Sequence, residues 1–188
     1  MIRSALITLL VIFLLTGCSA RQVQDSLAGA TAQRLVTGAI DELAAALPAS
    51  DFAALRGQNL YLDTHFITDD ALRAYADRRL AMELKQRFDI NTVTEPLAAD
   101  ASLSVFYTAL GTDQGLLGFY LPFGFVPGVA ESTRINLITL EQFHGVAEMY
   151  YFLDAGNGEL LRGQRLQGRT RTDALGLPII TIPISNLD

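Results

Sequence analysis

The sequence predicts an α+β fold, a single domain in which a mixed or antiparallel sheet carries two helices packed on one face. Two stretches with helical hydrophobic periodicity lie in the first half of the chain, and stretches with strand-like alternation dominate the second half. No internal repeat or low-complexity tract divides the 188 residues, of which 50% are hydrophobic. This length and composition are typical of about one domain with its own core.

Two amphipathic helices are predicted, over residues 26–47 and 68–88. In each, apolar residues recur about every four positions and therefore share one helix face. Capping residues open both stretches, and Pro48 ends the first. The first helix could pair with a second copy as a coiled coil, which leaves a homo-oligomer open, but its alanine content favours packing on a sheet.

Strands are predicted on both sides of the second helix, over residues 59–63 and 90–94. The first of them alternates apolar and polar residues, and the second follows the helix directly. Strand, helix and strand have the spacing of a β-α-β unit, whose crossover is right-handed if the strands are parallel.

The second half of the chain is predicted to be mainly antiparallel sheet. Strand patterns cover residues 102–110, 134–140, 146–153 and 159–167. The last two patterns pair as a hairpin, because the Asn and Gly residues between them tolerate the positive φ of a tight turn. The tail, residues 177–184, is apolar but contains two prolines, so we expect an edge strand or an extended arm.

The N-terminus has the pattern of a secretory signal. Arg3 precedes an apolar run of 11 residues, which is too short to span a bilayer and typical of a signal-peptide core. The tetrapeptide Leu15-Thr16-Gly17-Cys18, which ends this region, resembles a bacterial lipobox and contains the only cysteine of the chain. The alternatives are an ordinary secretory signal that happens to contain a cysteine and a buried signal anchor.

The lipobox resemblance implies a lipoprotein with three segments. Residues 1–17 are the signal peptide, residues 18–25 are the lipidated Cys18 with a short tether, and residues 26–188 are a periplasmic domain. Several acyl chains on one cysteine, palmitate among them, hold a protein on a membrane almost permanently. Ser19 resembles the residue that follows the cysteine in lipoproteins of the outer membrane, which implies a lipid-anchored position on its periplasmic face. The tether reaches about 25 Å at most, so the domain works close to the membrane.

Composition excludes several functions. With 14 Lys+Arg against 20 Asp+Glu, the chain lacks the basic surface of a nucleic-acid-binding protein. A single cysteine forms no disulfide within the chain. No nucleophile motif and no phosphate-binding loop is visible, so we expect no enzyme activity, no cofactor and no metal site.

Three sets of residues are candidates for binding or chemistry. The first is Asp63, His65, Asp69 and Asp70 at a strand–helix junction, where a carboxylate beside an imidazole could act as a base or bind a cation. The favoured alternative is structural: Asp69 and Asp70 complement the helix dipole, and His65 is a loop residue. The second is a row formed by Arg165, Arg169 and Arg171, which share strand parity. This row could bind lipid or lipopolysaccharide phosphates or an acidic partner, or it could be the solvated face of an edge strand.

The third candidate is an uncharged apolar stretch, residues 115–128. Glycines and prolines interrupt it, so we expect an irregular loop that needs its own domain, a partner protein or the membrane surface to cover it. The predicted contact residues are large and apolar. They are Leu116, Leu117, Phe119, Tyr120, Phe123 and Phe125.

The order of lipobox, helix, strand, helix and strand, followed by Gly111-Thr112-Asp113 and the uncharged stretch, resembles an uncharacterised bacterial lipoprotein family of unknown function. The resemblance covers most of residues 26–170. More loosely, a lipidated cysteine before a small α/β domain is similar to envelope-assembly lipoproteins, such as accessory proteins of lipopolysaccharide export, peptidoglycan synthase activation and curli secretion. The second resemblance is architectural and transfers no site residue.

These observations predict a non-catalytic, membrane-anchored periplasmic lipoprotein that binds another component of the cell envelope in an assembly or accessory role. The expected partners are the membrane, through the lipid anchor, and an envelope protein. The alternative is a small-ligand-binding protein or an enzyme, with a site that brings together Asp63, His65 and His144. The two differ in a simple way, because only the second needs a concave pocket at the strand–helix junction.

Overall fold

The computed structural model describes residues 29–67, 71–122, 134–156 and 158–184, without the side chains of 120–122 and 134–136. Within these residues the chain forms one body with a mixed sheet of seven strands and three helices. The α+β prediction is confirmed, although the helices number three where two were expected. The additional helix, Ala49–Phe52, is a single turn.

The elements follow one another along the chain in a simple order. They are α1 (Ala30–Ala45), α2 (Ala49–Phe52), β1 (Asn59–His65), α3 (Ala71–Phe88), β2 (Asn91–Val93), β3 (Ala101–Pro122), β4 (Arg134–Asp154), β5 (Leu160–Arg162), β6 (Leu166–Gly176) and β7 (Thr181–Pro183), with 3-10 turns at Ala53–Leu55 and Pro96–Ala98.

The strand order in the sheet is β2-β1-β3-β4-β6-β7, and β5 pairs with β4 beside β6. β1 is parallel to both β2 and β3, so the predicted β-α-β unit is confirmed. All other pairs are antiparallel. β7 is an edge strand, as its prolines predicted.

The predicted apolar loop is partly wrong. Residues 115–122 belong to β3, and residues 123–128 lie outside the described residues. The glycines that suggested a loop instead allow two strands to approach closely. Gly118 has a φ of 147°, and a β-carbon there would collide with the carbonyl oxygen of Ile138 in β4.

Two further strand predictions change in their bounds. The patterns over 134–140 and 146–153 are one continuous strand, β4. The pattern over 159–167 is instead divided between β5 and β6. The division falls at Gly163, which lies so close to the ring of Tyr151 that a β-carbon would overlap it.

Both long helices pack on the same face of the sheet. α1 lies over Gly145 of β4 and Gly168 of β6, where the backbone of the helix takes the space that side chains would fill. α3 is held by Asp77, which accepts hydrogen bonds from the hydroxyls of Thr64 and Tyr107 at 2.9 and 3.1 Å. These contacts fix the helical layer to β1, β3, β4 and β6.

The core lies between this layer and the sheet. Alternate residues of β3 and β4 are buried there, and Leu103, Val105 and Met149 are at most 1% exposed. Phe52 of α2 packs on Phe88 and Tyr151 with ring centroids 5.5 and 5.6 Å apart. None of the described helices is long and apolar enough to cross a membrane.

Candidate functional site

The candidate site is the face of the sheet opposite the helices, here called the open face. Among the described residues no helix packs on it. Strand register divides it into three regions: an aromatic cluster near the C-terminal end of β1, a charged band across the middle, and an apolar region at the far ends of β3 and β4.

The aromatic cluster consists of His65, Phe106, Tyr150 and Phe152. The imidazole of His65 stacks on Phe106 at 4.6 Å, and Phe106 stacks on Tyr150 at 5.1 Å. Phe152 meets both phenyl rings edge-on at 6.0 Å. Because the stacked rings cover one another's faces, the cluster offers mainly ring edges to a ligand.

The predicted Asp63–His65 pair is present. Nε2 of His65 lies 3.1 Å from Oδ2 of Asp63, and both side chains are nearly half exposed. His144 does not join them. His65 aligns with Tyr150 of β4 through Phe106. His144 is six residues away from Tyr150 along the same strand, so about 20 Å separates His144 from the pair.

The neighbourhood of this pair contains little to make it an active site. Asp69 and Asp70 lie outside the described residues. No group of three or more metal-ligating side chains occurs in the part of the chain that the structure describes. A cleft of about 490 Å³ lies between β1 and α3, but Tyr61, Leu62 and Asp77 line it, whereas Asp63 and His65 do not.

The charged band consists of His144 of β4, Arg169 and Arg171 of β6, and Arg165 just before β6. Burial, followed by the positive charges of Arg171 and Arg169, lowers the pKa of His144, although Asp173 and Asp113 oppose this. Its Nδ1 is buried and has no hydrogen-bond partner among the described residues. The neutral imidazole is therefore favoured.

The predicted arginine row is only partly free to bind anions. Arg171 donates two hydrogen bonds to Asp173, at 2.7 and 2.6 Å. Arg165 precedes β6 and lies 3.6 Å from a carboxylate oxygen of Glu148. Arg169 and Arg171 do share the open face, as their strand parity predicted.

An apolar patch lies at the far end of the open face. Leu117, Leu140, Leu175 and Ile182 stand in register across β3, β4, β6 and β7. Phe119 and Ile138 form the next rung. Phe119 and Ile138 are each 59% exposed, and Leu117 is 51% exposed. We call these six residues the apolar patch.

The predicted contact residues have different positions. Leu117 and Phe119 belong to the patch, whereas Leu116 points to the helical side and is buried. The side chain of Tyr120 is not described, and Phe123, Phe125 and Cys18 lie outside the described residues.

The sequence analysis did not predict the other four residues of the apolar patch, which are Ile138, Leu140, Leu175 and Ile182. Three stretches without charged residues, 114–122, 135–140 and 174–184, contain the whole patch and could have indicated it.

α1 begins beside the middle of β4, displaced towards the patch end of the sheet. Leu35 packs at Gly145, whereas Ile40 and Leu43, further along the helix, line a small cavity with Met149. The helix starts about 8 Å before Leu35, and this start lies towards the patch. In the same direction, Leu140 of the patch lies about 17 Å from Gly145 along β4. The start of α1 therefore lies about 9 Å short of Leu140 along β4, on the face of the sheet opposite the patch.

Comparison with protein-family models and with curated protein sequences finds no match to this chain. The functional argument therefore depends on the residues and geometry described above.

Proposed function

We propose that the protein is a non-catalytic lipoprotein, anchored through Cys18 to the periplasmic face of the bacterial outer membrane, and that it binds another component of the cell envelope through the apolar patch. The observation that carries the proposal is the patch itself. Six apolar side chains from four strands form one surface that no described element covers. Contiguous apolar surface of this kind marks interaction sites on soluble domains.

The position of α1 supports the proposal. α1 begins closer to the patch end of the sheet than to its opposite end, although on the opposite face, so a tether to Cys18 leaves the patch within reach of the membrane. The patch can therefore meet envelope partners at the membrane surface.

A small-ligand-binding or enzymatic role for Asp63 and His65 is the second candidate, and their 3.1 Å contact favours it. Against it, both side chains are solvent-exposed, and the neighbouring cleft is lined by other residues. Catalytic pairs are usually placed in concave, partly desolvated sites. A ligand whose affinity falls on Asp63→Asn substitution and is unchanged by patch substitutions would favour this second candidate.

The anchor is tested by mass spectrometry and cell fractionation. We expect fatty acids on Cys18 in the parent and loss of the Cys18→Ala variant from the membrane fraction. A parent without fatty acid, fractionating as the variant does, would refute the anchor.

The contact surface is tested by photo-crosslinking in intact cells. A photoreactive amino acid placed at position 119 should form specific adducts with an envelope component. The matched control is position 97, which is also apolar and fully exposed but lies just before β3, at the opposite end of the sheet. Equal adduct patterns at both positions would contradict a contact through the patch.

A further inference from the structure

We propose that the component bound by the apolar patch is the lipid bilayer itself, and that the patch lies flat on the membrane surface. This rests on the proposed function and names its partner. The choice of the bilayer as partner rests on the length of the chain before α1, on the shape of the patch and on its chemistry.

The path of the chain places the patch within reach of the anchoring membrane. The 11 residues from Cys18 to Gly29 can span at most about 38 Å. The start of α1 lies on the face opposite the patch, about 9 Å short of Leu140 along β4, and packed layers lie about 10 Å apart, so this length exceeds the distance from the start of α1 to the membrane on the open side.

The patch is suited to a flat apolar surface. Its residues stand in register across four neighbouring strands, which makes a strip about 14 Å wide. All six side chains point to the same side. They are aliphatic or phenyl groups and offer no hydrogen-bond donor or acceptor, whereas protein interfaces of standard size carry about one hydrogen bond per 100–200 Å².

Flat docking also suits the edge of β3. Beyond Phe106 this strand has no partner on the β1 side among the described residues. Its amides and carbonyls therefore need water or another donor and acceptor, which the hydrocarbon core of a bilayer does not supply. With the sheet lying at the headgroup level, the side chains enter the acyl region and the backbone edge stays hydrated.

The charged band beside the patch faces the same membrane. Arg169 and Arg171 share the open face with the patch residue Leu175. Two of the three arginines of the band, Arg165 and Arg171, are already paired with carboxylates. We therefore expect binding that depends on apolar contact and only weakly on anionic lipid or salt.

The test uses a single tryptophan as a depth probe, because the sequence contains none. The full-length lipidated protein carrying Phe119→Trp is reconstituted into phosphatidylcholine vesicles with acyl chains brominated near the headgroup. We expect its fluorescence to fall at least twofold relative to vesicles without bromine. Leu97→Trp is the matched control and should stay unquenched.

A second measurement removes the anchor. The chain from Ser19 keeps every residue that the structure describes. Ile138→Ser and Ile182→Ser should each lower its partitioning into the same vesicles about tenfold, the effect of losing one largely exposed apolar side chain from the contact. Raising the salt to 0.5 M should change partitioning by less than about twofold.

The outcomes separate this proposal from the more general one. If the Phe119→Trp variant is unquenched while the crosslinker at position 119 captures another envelope protein, the lipid contact is overturned and the proposed function stands. Capture of a second copy of this chain alone would overturn both proposals. If neither quenching nor crosslinking occurs, both fail. Circular dichroism of each variant confirms that the fold is intact.

Discussion

Replacing Gly168 by alanine tests the packing of α1, the element that links the domain to its N-terminal segment. A β-carbon on Gly168 would collide with the carbonyl oxygen of Ala39 and the amide nitrogen of Leu43. Both atoms belong to the helix backbone, and both residues are buried. Since no side chain can rotate away, α1 itself must move off the sheet.

The cost follows from that movement. Overpacking a core costs about 1–3 kcal/mol, and a backbone collision belongs at the upper end. Displacing α1 also weakens the hydrogen bond from the Thr170 hydroxyl to the carbonyl of Leu35, worth about 1 kcal/mol. We expect the free energy of unfolding to fall by about 3–4 kcal/mol and the melting temperature by roughly 6–16 °C.

The assay is urea and thermal denaturation followed by circular dichroism. Gly111→Ala is the matched control, because Gly111 lies in β3, its φ is ordinary, and no atom lies within 4 Å of a β-carbon built there. That variant should differ from the parent by less than about 0.5 kcal/mol. If Gly168→Ala falls within the same range, α1 does not pack on β6 as described.

Three further predictions concern the sheet. Tyr107→Phe removes a hydrogen bond to Asp77 and should lower the free energy of unfolding by about 1–2 kcal/mol in urea denaturation, with no change if the contact is absent. Because burial lowers the pKa of His144, the unfolded chain binds a proton first as the pH falls through about 6.5, so stability should fall with pH below that value. His144→Gln should remove this part of the decline when urea denaturation is compared at pH 5 and pH 8, and an unchanged decline would contradict the assignment. Phe106→Ala should lower the free energy of unfolding by about 2–4 kcal/mol, because the aromatic cluster loses its central ring. Phe119→Ala should lower it by less than about 0.5 kcal/mol, because that ring is exposed. Equal losses of stability in thermal denaturation would mean that both rings are structural.

The helices and the parallel unit could be predicted because their signals are local. The four-residue spacing over 26–47 and 68–88 reflects burial on one side of a helix, and α1 and α3 carry that burial. The β-α-β unit followed from segment order alone. The glycines over 115–122 led to the wrong prediction of a loop, because glycine is common both in loops and where two strands approach closely. Only the position of Ile138 beside Gly118 shows that the second explanation applies here.

The apolar patch could not be predicted from local sequence signals. Leu117 and Ile182 are 65 positions apart, and they meet only because β4 and β6 intervene in a particular register. A shift of one residue in any pairing would move one of them to the helical side. Likewise, nothing local indicates that Gly168 lies under Ala39. Register and packing of this kind depend on the whole sheet.

The two hydrophobic regions of the open face also differ in what they need from a partner. The rings of Phe106 and Tyr150 cover each other, and such pairs stabilise the isolated fold by about 0.5–1.5 kcal/mol each. The side chains of Leu117, Phe119 and Ile138 remain at least half exposed, so their burial stabilises nothing until another surface covers them. A structural role therefore accounts for the aromatic cluster, whereas the exposed side chains of the patch have no such role in the isolated fold, which is why we propose the patch as the contact surface.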